Sequence, residues 1–221
     1  MHIYTHLVLA HALLPHLKPP DEPAYYLGAI IPDIRYLAGA RRRQTHLTAI
    51  QLLAYRQRYP HLESFLLGYL VHCEIDLIDL SRVLFQGTPL RLLKPLHRLQ
   101  LAGVLIESHF LEQDHIEVRL ADDSNEMLTE LGIQPQQVHM FAQGARRFLE
   151  NPSFRAELAA LQAEPLLHSR RMQAYLRLVT FFENRHGWRR FFFGGAPVAE
   201  IAAQLPAILL ASPVIKEFVQ L

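Results

Sequence analysis

Two residues in an apolar run could do chemistry: His72 and Asp76, four apart within Phe65-Leu66-Leu67-Gly68-Tyr69-Leu70-Val71-His72-Cys73-Glu74-Ile75-Asp76. On a helix that spacing stacks both side chains on one face, a turn apart. A carboxylate among aliphatic and aromatic residues is costly unless it is paired, hydrogen-bonded or bound to metal. Either a structural His–Asp hydrogen bond or a divalent cation would satisfy the pair. Further donors stand in apolar settings upstream: His6, His11, Asp33 after Ile30-Ile31-Pro32, and His46 after Thr45. Imidazoles and carboxylates gathered around one point are the ligand set of zinc and related divalent ions. Asp76 has two oxygens and could bridge two ions, and a pair about 3.5–4 Å apart suits the hydrolysis of phosphate esters.

Helices must position these groups. The apolar spacing predicts a helix over 4–17, broken by Lys18-Pro19-Pro20, and a second from a cap at Asp21-Glu22-Pro23 through Ala24 to Ile31. Pro32 should end that helix and leave Asp33 in a turn. Thr45 reads as the N-cap of a helix opening at His46 and reaching Arg58. A central helix starts at Pro60 and runs past Asp79 towards Phe85, with a turn at Gly87-Thr88-Pro89. Two runs, 90–101 and 104–120, read as separate helices or one bent one. Asp122-Asp123-Ser124 reads as a loop and cap, and helices follow at 125–132, 136–150, 153–162, 167–185, 198–204 and 206–220. No segment alternates with period two. The expectation is an all-α, single-domain bundle of about ten helices spanning 1–221.

Composition narrows the function classes. Half of the 221 residues are hydrophobic and the net charge is +1, so a sizeable core is available and no nucleic-acid signature is present. One cysteine, Cys73, excludes an internal disulfide and reads as an inert buried thiol in a reducing compartment. No transmembrane segment or signal peptide is evident, which predicts a cytoplasmic protein. Thirteen histidines exceed what packing requires. Of these, His16, His61, His139, His168 and His186 have no partner pattern and read as surface or satisfied residues. Asp79, seven after His72, falls on the same stripe, as an outer partner to a ligand or as a helix ion-pair residue. Arg41-Arg42-Arg43 reads as a solvated run, with a phosphate-attracting rim as the alternative. Trp188 to Phe193 reads as a core helix edged by arginine, with a lipid-interface anchor as the alternative.

Thr5-His6, Gly28-Ala29-Ile30-Ile31-Pro32-Asp33, Thr45-His46 and Gly68-Tyr69-Leu70-Val71-His72-Cys73-Glu74-Ile75-Asp76, in this order, resemble the zinc-dependent phospholipase C family, itself related to the fungal single-strand nucleases. The resemblance covers about residues 1–80. It implies a bundle of the phospholipase C/nuclease type and two zinc ions, with a third left open and manganese or iron as alternatives. By the same resemblance Asp33, His46, His72 and Asp76 would hold one ion, Asp76 would bridge to a second that His6 also binds, and Asp33 would be the catalytic base. The substrate would be a small phosphoester or a phospholipid. Two departures stand out. The family binds one zinc through a processed N-terminal residue, whereas this chain begins Met1-His2, so His2 is a candidate substitute. The family's later His-xxx-Glu is missing; His109 and Glu112, three apart, are the candidates offered instead. The alternative function is a catalytically silent relative that keeps fold and metal for structure or partner binding. A helical phosphohydrolase of the His-Asp type would need an adjacent His-Asp dipeptide, and the sequence offers only the reverse, Asp114-His115.

Overall fold

Proline and local caps divide the chain much as its apolar periodicity suggests. The computed structural model describes residues 3–85, 95–113, 116–121, 123–150, 152 and 198–220. Among these no strand occurs, and the fold is all-α. The elements are α1 (Ile3–Leu17), α2 (Glu22–Ile30), a 3-10 turn (Ile31–Ile34), α3 (Arg35–Ala38), α4 (Arg42–Thr45), α5 (Ala49–Arg58), a second 3-10 turn (Pro60–Leu62), α6 (Glu63–Leu77) and α7 (Leu80–Phe85). They continue as α8 (Pro95–Gln113), α9 (Glu126–Glu130), α10 (Pro135–Glu150), α11 (Val198–Leu210) and α12 (Pro213–Gln220). No single helix among the described residues is long and apolar enough to cross a membrane.

Helix α6 occupies the middle of the bundle, with α1, α2, α5, α11 and α12 packed against it. Ser64 to Cys73 is buried on every side, as its unbroken apolar character requires. Its tightest neighbour is α2. A Cβ on Gly68 would lie 1.9 Å from the Tyr25 carbonyl oxygen, and one on Gly28 would lie 2.1 Å from the Phe65 carbonyl oxygen. The two backbones therefore touch directly, a separation that only glycine on both helices allows. Tyrosines frame this crossing and keep their hydroxyls satisfied inside the core. Tyr25 Oη donates to the Ala10 carbonyl at 3.0 Å, and Tyr69 Oη donates to the Thr45 carbonyl.

Several boundaries differ from the sequence expectation, each for a local reason. Asp21 caps α2 as expected, accepting from Ala24 N at 3.0 Å, and Pro32 opens a 3-10 turn that carries Asp33. Thr45 is not a cap. It ends the short α4, and α5 starts from a capping box in which Thr48 Oγ1 accepts from Gln51 N while the Gln51 side chain accepts from Thr48 N. The central helix stops at Leu77 rather than continuing to Phe85, because Asp79 Oδ1 accepts from Arg82 N and Ser81 Oγ and starts α7 afresh. The segment 95–113 is one helix, in line with the single-helix alternative for the 90–101 and 104–120 runs, but residues 116–120 are not helical. Asn125, not Asp123 or Ser124, caps α9. Helix α11 passes through Pro206, and the break falls at Ser212-Pro213. The helices expected at 153–162 and 167–185, the turn at Gly87-Thr88-Pro89 and the Trp188–Phe193 stretch lie outside the described residues.

The glycine crossing yields a paired prediction. Gly68→Ala should lower the melting temperature by about 10 °C or more, or abolish folding, because both opposing atoms are backbone. Gly144→Ala on α10, whose Cβ would meet nothing within 4 Å, should instead stabilise by about 0.5–1 kcal/mol. Thermal denaturation of both variants checks this. Equal effects would show that the α2–α6 approach is looser than described.

Candidate metal centre

The α2–α6 contact sets one residue's chemistry directly. Gly28 and Gly68 bring the next residue of α2, Ala29, against the next turn of α6, and the His72 Nδ1–H donates to the Ala29 carbonyl at 2.8 Å. A carbonyl can only accept, so Nδ1 carries the proton and Nε2 of the neutral ring presents a lone pair. Burial, aided by the neighbouring His6 imidazole, pushes the His72 pKa down to about 3 and keeps the ring neutral.

Four elements converge on that lone pair. Helix α1 brings His6, the first 3-10 turn Asp33, the chain leaving α4 His46, and α6 itself His72 and Asp76. Asp76 Oδ2 lies 2.9 Å from His46 Nε2 and 3.8 Å from His72 Nε2, while Oδ1 faces His6 Nε2 at 3.5 Å. The two Nε2 atoms of His46 and His72 are 3.3 Å apart, and the His6 and His72 rings stack with centroids 4.0 Å apart. Donor atoms of His6, His72 and Asp76 lie within 4.8 Å of one another, as do those of Asp33, His46 and His72. Four donors each about 2.0–2.1 Å from one ion stand about 3.3 Å apart, so these spacings suit a shared cation. His72 can serve one ion only, since its other nitrogen is occupied. Asp76 can serve two, with Oδ1 turned to His6 and Oδ2 to His46 and His72.

Electrostatics agree with the geometry. Burial alone would raise the Asp33 and Asp76 carboxyls. The positive charge of the amino terminus is the largest opposing influence, and with smaller ones from the His72 and His6 imidazoles it brings Asp33 down to about 2. Hydrogen bonds from His46 and His6 hold Asp76 far below the usual range. Both stay ionised. Burial and the Asp76 charge push the Cys73 thiol up to about 12, so it remains the inert thiol its setting suggested. Two arginines border the carboxylates: Arg35 Nε is 3.5 Å from Asp33 Oδ1, and Arg42 Nη2 is 2.5 Å from Asp76 Oδ2.

Two residues position the ligands in ways the sequence does not announce: Thr45, whose spacing suggests a cap instead, and Glu107. Thr45 is fully buried, and its Oγ1 lies 3.2 Å from His46 Nδ1, fixing that ring by its far nitrogen. Glu107 of α8, also fully buried, accepts from Tyr4 N at 3.1 Å, Thr5 N at 2.7 Å and the Thr5 hydroxyl. A carboxylate on the first free N–H groups of α1 satisfies donors that the helix cannot and opposes the positive end of its dipole. It thereby anchors the turn that carries His6. The signal was a lone acid in Leu101–Ser108, which is otherwise nearly all apolar. Gly103 stands four before it, so Glu107 is not half of a His-xxx-Glu pair.

The other candidates whose side chains are described do not join the cluster. His109, two residues after Glu107, points off another face of α8 and packs beside Phe110. His2 and the Glu112 side chain lie outside the described residues. His11 is exposed and bonds Tyr26 Oη through Nδ1 at 2.7 Å. Asp79 starts α7 rather than backing a ligand, because α6 ends before it. His16, His61 and His139 are exposed.

A pH prediction follows from His72 in metal-free protein. Its folded pKa of about 3 lies below the ordinary 6.5, so the unfolded chain takes up a proton first as the pH falls. Stability is complete above about 6.5 and declines as the pH drops towards 3. Melting of chelator-treated protein between about pH 7 and 4.5 should show this decline, and His72→Gln should flatten it relative to wild type. An equal slope in both proteins would contradict the burial of a neutral ring.

No family model, curated protein or solved structure matches this chain.

Proposed function

We propose that His6, Asp33, His46, His72 and Asp76 form a divalent-metal centre, best suited to two zinc ions, and that the chain is a metal-dependent phosphoester hydrolase of the phospholipase C/nuclease type. The observation that carries this reading is the set of 2.9–3.8 Å separations between side-chain donors that have little reason to gather without a cation. Imidazole nitrogen with carboxylate oxygen is a donor set that zinc accepts readily, with manganese or iron the nearest alternatives. Bound ions of this class lower the pKa of water towards neutrality and supply positive charge where a phosphoryl group gathers negative charge.

The protein's own part is preparation. Ala29 and Thr45 hold the far nitrogens of His72 and His46, so both rings meet the centre already oriented. Glu107 holds the turn beneath His6. Asp33 stays ionised and is the base available to take a proton from an attacking water. A small phosphoester or a phospholipid fits this chemistry as substrate, and the single buried thiol fits a cytoplasmic setting.

One observation favours a different reading. Asp76 already has a cationic partner in Arg42, which would suit a silent relative keeping the cluster as structure. Turnover separates the two. Protein reconstituted with zinc should hydrolyse bis-p-nitrophenyl phosphate, and His72→Ala should cut kcat/KM by about a hundredfold or more while the helical circular dichroism persists. Equal background rates in both proteins, each folded and metal-loaded, would leave the silent reading standing.

A further inference from the structure

The five-residue cluster carries two carboxylate charges, and a guanidinium borders each carboxylate. The two arginines are not equivalent. Arg35 is largely enclosed, its side chain 16 % exposed, whereas Arg42 is 51 % exposed and reaches Asp76 from the solvent side. Its target oxygen, Asp76 Oδ2, is the same atom that His46 and His72 face. The guanidinium therefore engages an oxygen that a cation among His46, His72 and Asp76 would also need. A guanidinium never deprotonates, so it can yield only by moving away.

On the metal-centre reading above, on which this step rests, we propose that Arg42 is a counter-ion latch. It neutralises Asp76 while the centre is empty, is displaced when a divalent ion binds, and then anchors the phosphate group of an anionic substrate at the rim. Charge requires the second half. A divalent ion at Asp76 reverses the sign of the local field, and an arginine on a short exposed helix then gains by turning to an anion instead. Its planar fork matches two phosphate oxygens, a fit that lysine lacks. The arginine row at 41–43 thus contains one residue with a site-directed role. Arg41 and Arg43 are exposed neighbours, with Arg41 engaged through its backbone N–H donating to Gln44 Oε1 at 2.7 Å.

The test is calorimetric and needs no turnover. Chelator-stripped wild type, Arg42→Gln and Arg43→Gln are titrated with zinc, and the zinc-loaded proteins are then titrated with inorganic phosphate. Arg42→Gln should bind zinc about threefold to tenfold more tightly, since a competitor and a repulsive charge are gone. The same variant should bind phosphate about tenfold more weakly, and Arg43→Gln should match wild type in both titrations. Unchanged or weaker zinc binding by Arg42→Gln overturns the latch, and unchanged phosphate binding overturns the anchor. Folded wild type that takes no zinc at all would sink the metal centre itself, an outcome distinct from either.

Discussion

Gly28 against the Phe65 backbone and Gly68 against the Tyr25 backbone together govern the distance between α2 and α6, and much else follows from that distance. Any side chain at either position would push the helices apart against backbone atoms 1.9–2.1 Å from its Cβ. At the observed separation the Ala29 carbonyl reaches His72 Nδ1, and that one hydrogen bond decides which nitrogen faces the interior. The same crossing places the loop after α2 over the next turn of α6, so that Asp33 arrives beside His72 and His46. Packing and chemistry are therefore one constraint here.

A cluster of two ionised carboxylates and three imidazoles in a protein core is a poor choice for stability alone. Hydrophobic residues of similar volume would serve at least as well. The fold nevertheless supports it with further buried polar groups, Thr45 and Glu107, whose visible work is to hold His46 and the first turn of α1. Departure from the simplest stable core is where function is expected to show itself. Arg35 and Arg42 complete the balance by bordering Asp33 and Asp76. One is enclosed and one half in solvent, so only one has freedom to leave.

Legibility in the sequence tracked how local each cause is. His72 and Asp76 share a face because a four-residue spacing must share one on any helix, and Pro32 turns the chain at Asp33 by its own geometry. Boundaries set by competing caps were harder. Thr45 and Thr48 are both plausible caps, and Gln51 three residues after Thr48 decides between them. The end of α6 lacks glycine or proline; Asp79 ends it by offering its carboxylate to the following backbone. Glu107 was visible as an isolated acid in an apolar run, but its partner lies more than a hundred residues away at Tyr4 and Thr5. Nor could the row Arg41-Arg42-Arg43 reveal which guanidinium reaches Asp76, since that depends on how α4 sits against α6.

Metal stoichiometry tests the account at its centre. Tag-free protein, reconstituted with excess zinc, desalted and analysed by inductively coupled plasma mass spectrometry, should carry two equivalents. Asp76→Ala should lose at least one of them while remaining helical, because Asp76 is the residue with an oxygen turned to each side of the cluster. Folded wild-type protein that retains no zinc, and none of manganese or iron offered in its place, would contradict the account: the donors would then be gathered for packing alone.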